Sequence, residues 1–145
     1  VPRTAVPEDA RPPRLSNVLA VSDLSELGNE AVRYAYRLAG AGGLVQLATV
    51  TPPRSGPAVW DELRGNLKAV VPSFAGGVGA VTTAHVVEGE DPATAILQLS
   101  ERLGVDAICL SSHGRSGVTR ALLGSVAEEV IRRSTRPVLI VRPKS

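Results

Sequence analysis

The chain has 145 residues with a formal net charge of +2, 43% hydrophobic residues and only 3% aromatic residues, which fits a single domain with an aliphatic core. This net charge is much smaller than the excess of basic residues typical of nucleic-acid-binding domains. No apolar run approaches the roughly 18 residues that a membrane span needs. The single cysteine, Cys109, lies within an apolar run; with no disulfide framework and no signal-peptide pattern, the sequence predicts a cytoplasmic protein.

The N-terminal residues differ from the rest of the chain. Residues 1–14 are rich in proline, carry mixed charges and show no hydrophobic periodicity, which is typical of a flexible arm. We therefore expect an arm over 1–14 and a folded domain over 15–145.

After the arm, short apolar runs alternate with helical patterns. Strands are predicted over 17–21, 44–50, 81–87, 107–110 and 137–141, and helices over 25–39, 58–71, 92–103 and 125–133. In the first helix, the expected buried face contains Ala31, Tyr34, Ala35 and Leu38.

This alternation predicts an α/β fold: a doubly wound, five-stranded parallel sheet in the order 3-2-1-4-5 with helices on both faces. Ligands of such sheets bind beyond the carboxyl ends of the strands, at the point where the winding reverses, which here lies between strands one and four. Asp23 follows strand one. It should therefore lie beside the loop that follows strand four.

That loop carries the strongest functional signal in the chain. The fourth strand leads into Gly114 and Gly117 and then to Gly124 and Ser125, where a helical pattern begins. Glycine allows backbone N–H groups to approach a ligand closely, and a helix N-terminus adds unpaired donors and partial positive charge. The combination predicts a phosphate site, with Gly124 leaving room for the phosphate group.

Three segments together resemble the universal stress protein family: VLAVSDLS at 18–25, VEGEDP at 87–92, and SHGR at 112–115 leading to LLGSV at 122–126. The resemblance covers 15–143. The nucleotide-binding branch of the family has the signature Gly-x2-Gly-x9-Gly-(Ser/Thr), and Gly114, Gly124 and Ser125 match its later part. Ser111 stands at the position of the first glycine, where its side chain would either crowd a ligand or donate a hydrogen bond to it.

The resemblance implies a Rossmann-like fold of the adenine nucleotide alpha hydrolase type that binds ATP, with Mg²⁺ or Mn²⁺ held through the phosphates. It also implies a nucleotide-dependent role in stress response or regulation. Asp23 would lie near adenine or ribose, and Val50 would offer backbone groups to adenine. The ribose and phosphates would contact Ser111, Gly114, Gly124, Ser125 and Val126, with Gly117 in the same glycine loop.

A homodimer is the second implication of the resemblance, and strand five supports it independently. In the predicted order this strand is an edge, and residues 138–141 are four consecutive apolar residues. Exposed apolar edges invite pairing with another chain. An antiparallel pairing with strand five of a second copy would cover the edge.

Several of these residues also have purely structural explanations. Ser125 and Glu128 have the spacing of a capping box, and Asp23 has the position of a cap for the first helix. His85 and His113 have no further ligand at metal-binding spacing, which argues against a metal or catalytic role.

Other functions stay open. The chain has neither the Gly-x4-Gly-Lys loop of an NTPase nor the Gly-x-Ser-x-Gly elbow of a hydrolase, so no catalytic site is predicted, and slow ATP hydrolysis is left undecided. Ser111 favours a family member that binds no nucleotide and acts as a protein-interaction module. Residues 114–117 match the Gly-x-x-Gly clamp of KH-type single-stranded nucleic-acid binders, although a strand rather than a helix precedes them here.

Overall fold

The computed structural model describes residues 15–113 and 123–143. The predicted arm and the loop glycines Gly114 and Gly117 lie outside the described residues. Within those residues the elements follow in the order β1 (Asn17–Val21), α1 (Glu26–Ala39), β2 (Leu44–Thr51), α2 (Pro57–Ala69), β3 (Val81–Glu88), α3 (Pro92–Leu103), β4 (Ala107–Ser111), α4 (Ser125–Arg133) and β5 (Val138–Val141). The predicted bounds differ from these by two residues at most.

The strands form one parallel sheet in the order β3-β2-β1-β4-β5, which confirms the predicted α/β topology. β1 lies at the centre, with Val21 paired to Ala48 of β2 and Ala20 paired to Cys109 of β4. The winding of the chain reverses between β1 and β4, so the carboxyl ends of these two strands flank the crevice in which ligands of doubly wound sheets bind.

Hydrophobic layers cover both faces of the sheet, and β1 contributes to both. Val18 and Ala20 belong to the layer beneath α1, whereas Leu19 belongs to the layer beneath α3 and α4. All three side chains are fully buried. Because both faces of β1 are covered, its residues 18–21 form a continuous apolar run rather than an alternating one.

One prediction about α1 was wrong: Tyr34 is not on the buried face and is 38% exposed. The buried stripe instead follows Ala31, Ala35 and Ala39, with Tyr36 on its flank at 1% exposure. Small alanines let α1 lie close to the sheet, and the hydroxyl of Tyr36 forms a hydrogen bond with that of Thr82 on β3. The predicted positions Ala31 and Ala35 are buried as expected.

The outermost strand on the β4 side is β5, which pairs with β4 alone among the strands of the described residues. Leu139 is 37% exposed there, and Val141 is buried.

No helix in the part of the chain that the structure describes is both long enough and apolar enough to span a membrane.

Candidate functional site

A cavity of about 460 Å³ lies at the carboxyl ends of β1 and β4, where the topology predicts a ligand. Its volume falls within the range of roughly 300–1,000 Å³ that is usual for small-molecule sites. Among the described residues, five segments line it: Val21–Asp23 at the end of β1, Thr49 and Val50 of β2, Pro92 and Ile96 of α3, Leu110–His113 at the end of β4, and Leu123–Ala127 at the start of α4.

Asp23 is an exposed carboxylate held in a defined orientation at the β1 side of the cavity. It accepts hydrogen bonds from the backbone N–H of Ser25, at 3.0 Å, and from the Ser25 hydroxyl. The cap of α1 is Ser25, whose side chain accepts from the backbone N–H of Gly28 at 3.1 Å. The alternative in which Asp23 caps the first helix is therefore wrong, and Asp23 is instead one of the residues that line the cleft.

Gly28 explains how the Asp23 carboxylate fits so close to α1. A Cβ atom added at Gly28 would lie 2.6 Å from Oδ1 of Asp23 and 2.9 Å from Oγ of Ser22, well inside van der Waals contact. Glycine at this position therefore leaves the space that the carboxylate occupies.

Val50 lines the same cavity from β2. The last pair between β1 and β2 is Val21 with Ala48, followed by a hydrogen bond from the Ser22 N–H to the Ala48 carbonyl at 3.0 Å. Val50 lies two residues beyond Ala48. At this level β1 has ended, so the β1-facing backbone of Val50 borders the cleft rather than another strand.

On the other wall, the Ser111 hydroxyl donates to the carbonyl oxygen of His113 at 2.7 Å. Its single proton is therefore used within the turn that follows β4, whereas the sequence suggested either crowding of a ligand or donation to it. The next residue, Ser112, is anchored by its backbone N–H, which donates to the Val141 carbonyl at 2.8 Å. These two bonds fix the backbone of the turn.

α4 begins at this turn, and Gly124 is its N-cap. The Gly124 N–H donates to the Ser112 carbonyl at 2.6 Å, and a Cβ atom added at Gly124 would lie 2.9 Å from that same oxygen. The space beside Gly124 is thus taken by the protein backbone, which corrects the expectation that the glycine is needed to leave room for phosphate.

The capping box predicted from Ser125 and Glu128 is also wrong, because Ser125 is the first helical residue and no side chain caps the helix. The first intrahelical bond runs from the Glu128 N–H to the Gly124 carbonyl at 3.0 Å. The N–H groups of the first helical turn, at Ser125, Val126 and Ala127, have no partner within the helix. They form the end of α4 that borders the cavity.

Contacts outside the cavity lining tie α3 and α4 together. Arg133 of α4 donates to the Thr94 hydroxyl at 3.1 Å and lies 3.5 Å from the carboxylate of Asp91, the N-cap of α3. A hydrogen bond from the Thr94 hydroxyl, with Arg133 nearby, holds the pKa of Asp91 below its ordinary value.

Of the predicted site residues, six line the cavity: Asp23, Val50, Ser111, Gly124, Ser125 and Val126. Gly114 and Gly117 lie outside the described residues. The sequence did not single out Ser22, Thr49 or Ser112 as site residues, and it assigned His113 no role. Ser112 and His113 directly follow β4, so the positional rule that selected Asp23 after β1 would also have selected them.

Comparison with known proteins bears on the identity of this chain. The model of the universal stress protein family matches residues 15–142. The chain is 44% identical over 54 residues to a universal stress protein of Methanocaldococcus jannaschii, covering 37% of this chain and 33% of the relative. It is 29% identical over 133 residues to universal stress protein E of Escherichia coli strain K12, covering 88% of this chain and 41% of the relative. In these sequence matches the chain thus spans about a third to two fifths of the length of the relatives.

Solved structures share the fold over almost the whole chain. The structure of the Methanocaldococcus jannaschii protein matches with a TM-score of 0.77 at 27% identity, covering 91% of this chain and 99% of the other. A universal stress protein in complex with cAMP matches with a TM-score of 0.69 at 28% identity, covering 91% of this chain and 100% of the other. Because the family model spans nearly all of the sequence, and these solved structures share the fold over almost the whole chain, this chain belongs to the universal stress protein family.

Proposed function

We propose that this chain binds ATP in the cleft between β1 and β4 and acts as a nucleotide-dependent module in stress response or regulation. The observation that carries the proposal is the 460 Å³ cavity, in which Asp23, Val50 and the N-terminus of α4 converge although they are far apart in sequence. The relative solved with cAMP, 28% identical to this chain, supports an adenine nucleotide as the ligand.

The two ends of the cleft suit the two ends of a nucleotide. Asp23 is a carboxylate that can accept from ribose hydroxyls, and the free backbone edge at Val50 can exchange hydrogen bonds with adenine. At the other end, the unpaired N–H groups of α4 favour phosphate oxygens. The described lining contains a single carboxylate, Asp23, so Mg²⁺ or Mn²⁺ would be held through the phosphates, where it would neutralise their charge.

Ser125→Pro tests the phosphate end directly. Proline is well accepted at the first helical position, and Gly124 before it has φ −66° and ψ 158°, the extended conformation that a following proline requires. The variant therefore removes one backbone N–H without breaking the helix. Loss of a hydrogen bond to a charged group should weaken ATP binding about 10- to 100-fold in calorimetry.

The matched control is Ser125→Ala, which removes the hydroxyl and keeps the N–H. We expect it to bind ATP much more tightly than Ser125→Pro. If the wild type binds no ATP by calorimetry and retains no nucleotide through purification, a ligand-free interaction module replaces this proposal. If Ser125→Pro binds ATP like the wild type, the phosphates do not lie at α4.

The assembly that we propose is a homodimer joined by antiparallel pairing of β5 with its copy. β5 is an edge strand in the described sheet, and Leu139 is partly exposed on it. Ile140 packs against the buried layer beneath α3 and α4, so a charge there would damage the core. Leu139→Lys is therefore the cleaner variant: sedimentation should give a dimer for the wild type and a folded monomer for the variant. A monomeric wild type refutes the proposal.

The location that we propose is the cytoplasm. Cys109 is the only cysteine of the chain and is fully buried, so it is not available for a disulfide in an oxidising compartment.

A further inference from the structure

Another concavity lies at the opposite end of the sheet from the nucleotide cleft, where the strands begin. This Phe74 groove has a volume of about 490 Å³ and lies between the end of α1 and the connection from α2 to β3. Its described lining consists of Tyr36, Arg37, Gly40, Ala41, Phe74 and Val78. Phe74 and Val78 are 38% and 37% exposed, so an apolar surface is left open to solvent.

The protein itself holds the walls of the Phe74 groove. The rings of Phe74 and Tyr36 pack edge to face with their centroids 6.4 Å apart. The Val78 carbonyl accepts from the Gly42 N–H at 2.8 Å, and the Val78 N–H donates to the Phe74 carbonyl at 3.3 Å. Because the exposed ring and the exposed valine are fixed in advance, a segment that binds here does not have to order the groove.

The N-terminal arm, residues 1–14, joins the fold close to this groove. The Ser16 carbonyl accepts from the Leu44 N–H at 2.7 Å, so the chain enters β1 beside the start of β2. Two residues before Leu44, the Gly42 N–H bonds the Val78 carbonyl of the groove. Bond lengths along this path limit the distance between the Cα atoms of Ser16 and Val78 to about 20 Å.

The arm is long enough to cover this distance and to fill the groove as well. An extended polyproline-type segment advances about 3.1 Å per residue, so about seven residues cover 20 Å. Counted back from Ser16, seven residues end at Asp9. The residues before Asp9 therefore reach the groove. Extended segments that contain proline dock well on surfaces that present aromatic rings, because they have little conformational entropy left to lose.

Charge decides which part of the arm fits. Arg37 is an exposed cation of the groove and takes part in none of the ion pairs between described residues. The RPPR stretch at 11–14 has an arginine on each side of its prolines, which Arg37 would repel. The VPED stretch at 6–9 has two apolar residues followed by the only two carboxylates of the arm. The VPED stretch therefore matches both the apolar surface and the charge of the groove.

We propose that the VPED stretch at 6–9 docks in the Phe74 groove of its own chain, with Val6 and Pro7 against Phe74 and Val78 and with the two carboxylates beside Arg37. Tethering raises the effective concentration of the arm to a roughly millimolar level, so a contact too weak to form between separate molecules is sufficient. The docked arm shields this apolar surface from other proteins. Because the groove and the nucleotide cleft lie at opposite ends of the sheet, the docking does not depend on ATP.

A nitroxide spin label on the arm tests the docking in the full chain. Ala10→Cys supplies the attachment site, because Cys109 is the only native cysteine and is fully buried. The label broadens the amide resonances of nearby residues. The amides of Ala41 and Val78 report on the groove.

Gly104 and Val105 provide the matched control amides. They lie on the other flank of the start of β1, where the Asn17 side chain donates to the Gly104 carbonyl at 3.4 Å. A docked arm should broaden Ala41 and Val78 strongly and the control amides weakly. Equal broadening on the two flanks, or stronger broadening at Gly104, would overturn the proposal.

Charge reversal tests the role of Arg37 in the same spin-labelled chain. Arg37→Glu should remove the difference between the two flanks, because it repels the carboxylates of Glu8 and Asp9. Adding Glu8→Lys and Asp9→Lys to this variant should restore the difference. Arg37 is exposed, so its replacement leaves the core intact. A difference that survives Arg37→Glu unchanged would show that charge does not select the docked stretch.

Substitutions within the arm test which stretch occupies the groove. Val6→Ser with Pro7→Ser should remove the difference between the two flanks, because the apolar contact is lost. The matched control, Pro12→Ser with Pro13→Ser, should keep the difference. The opposite pattern would place the RPPR stretch in the groove and overturn the assignment of the VPED stretch.

A mixing experiment separates docking within one chain from docking between two copies. Spin-labelled chain without isotope label is mixed with ¹⁵N-labelled chain that carries no spin label. Docking of each arm on its own chain predicts no broadening at Ala41 or Val78 in this mixture. Broadening of these amides in the mixture would show that the groove takes the arm of a second copy, and would overturn the proposal.

Discussion

Gly124→Ala tests the close contact between α4 and the end of β4. The added methyl group would lie 2.9 Å from the Ser112 carbonyl oxygen and 3.5 Å from Cα of His113. Both neighbours are backbone atoms, so neither can swing away, and α4 has to shift. That shift also strains the 2.6 Å hydrogen bond from the Gly124 N–H to the same oxygen.

The sign of the stability change is informative because Gly124 has φ −66°, a conformation open to any residue. With no clash, glycine to alanine at such a position stabilises a protein by about 0.4–1 kcal/mol through the entropy of the unfolded chain. Overpacking instead costs about 1–3 kcal/mol. We expect the clash to win, and a net loss of about 1–2 kcal/mol lowers the melting temperature by about 2–8 °C in a domain of this size.

Thermal unfolding followed by circular dichroism is the assay, with Gly65→Ala as the matched control. Gly65 lies inside α2 with no heavy atom near its Cβ position, so alanine should stabilise the protein by about 0.5–1 kcal/mol. A Gly124→Ala variant that melts at or above the wild-type temperature would refute the packing explanation. Bulkier residues at 124 should disrupt the turn and ATP binding together.

Three further predictions follow from single residues. Gly28→Ala should weaken ATP binding in calorimetry, because the added Cβ would lie 2.6 Å from Oδ1 of Asp23 and would displace that carboxylate. Unchanged affinity would mean that Asp23 does not contact the ligand. Burial raises the pKa of Cys109 to about 12, so Ellman's reagent at about pH 8 should label it only in the unfolded protein, and rapid labelling of the native state would contradict its burial. Burial, with Arg102 and Arg64, lowers the pKa of His85, so the unfolded state binds the proton better and stability should fall as pH drops below about 6.5. Denaturant melts of His85→Gln should show a smaller fall in the free energy of unfolding at low pH than those of the wild type. An identical pH dependence in the two proteins would refute this role of His85.

The topology was predictable because the pattern of strands and helices and the rules for connecting them indicate the same fold. Short apolar runs separated by helical patterns leave only a parallel sheet covered on both faces, and the right-handed crossover rule then limits the strand order. Asp23 could be placed in the cleft from position alone, since it directly follows β1 at the switch point.

The details that could not be predicted depend on atoms that meet only in three dimensions. Gly124 seemed to leave space for a ligand because sequence does not show that the Ser112 carbonyl fills that space. The sequence showed Ser111 only as a replacement for the first glycine of the signature. In the structure its hydroxyl donates to the carbonyl of His113, two residues further along the chain. Tyr34 satisfied helical spacing, but it lies at the border of the buried stripe, where a shift of one residue decides exposure.

His113 illustrates the same limit for function. A lone histidine without nearby ligands looks structural in sequence, whereas in the structure it lines the cavity and its two buried ring nitrogens have no partner among the described residues. Neither property is readable from residue spacing.

The central claim is that an adenine nucleotide binds between β1 and β4, and backbone amide mapping by NMR tests it most directly. Titration of the full chain with ATP should shift the amide resonances that line the cavity, in Val21–Asp23, Leu110–His113 and Leu123–Ala127, and the resonance of Val50. Amides at the opposite end of the sheet, such as those of Asn17 and Leu44, should not move. Shifts that cluster on another surface, or none at ATP concentrations in the millimolar range, would contradict the assignment of this cleft.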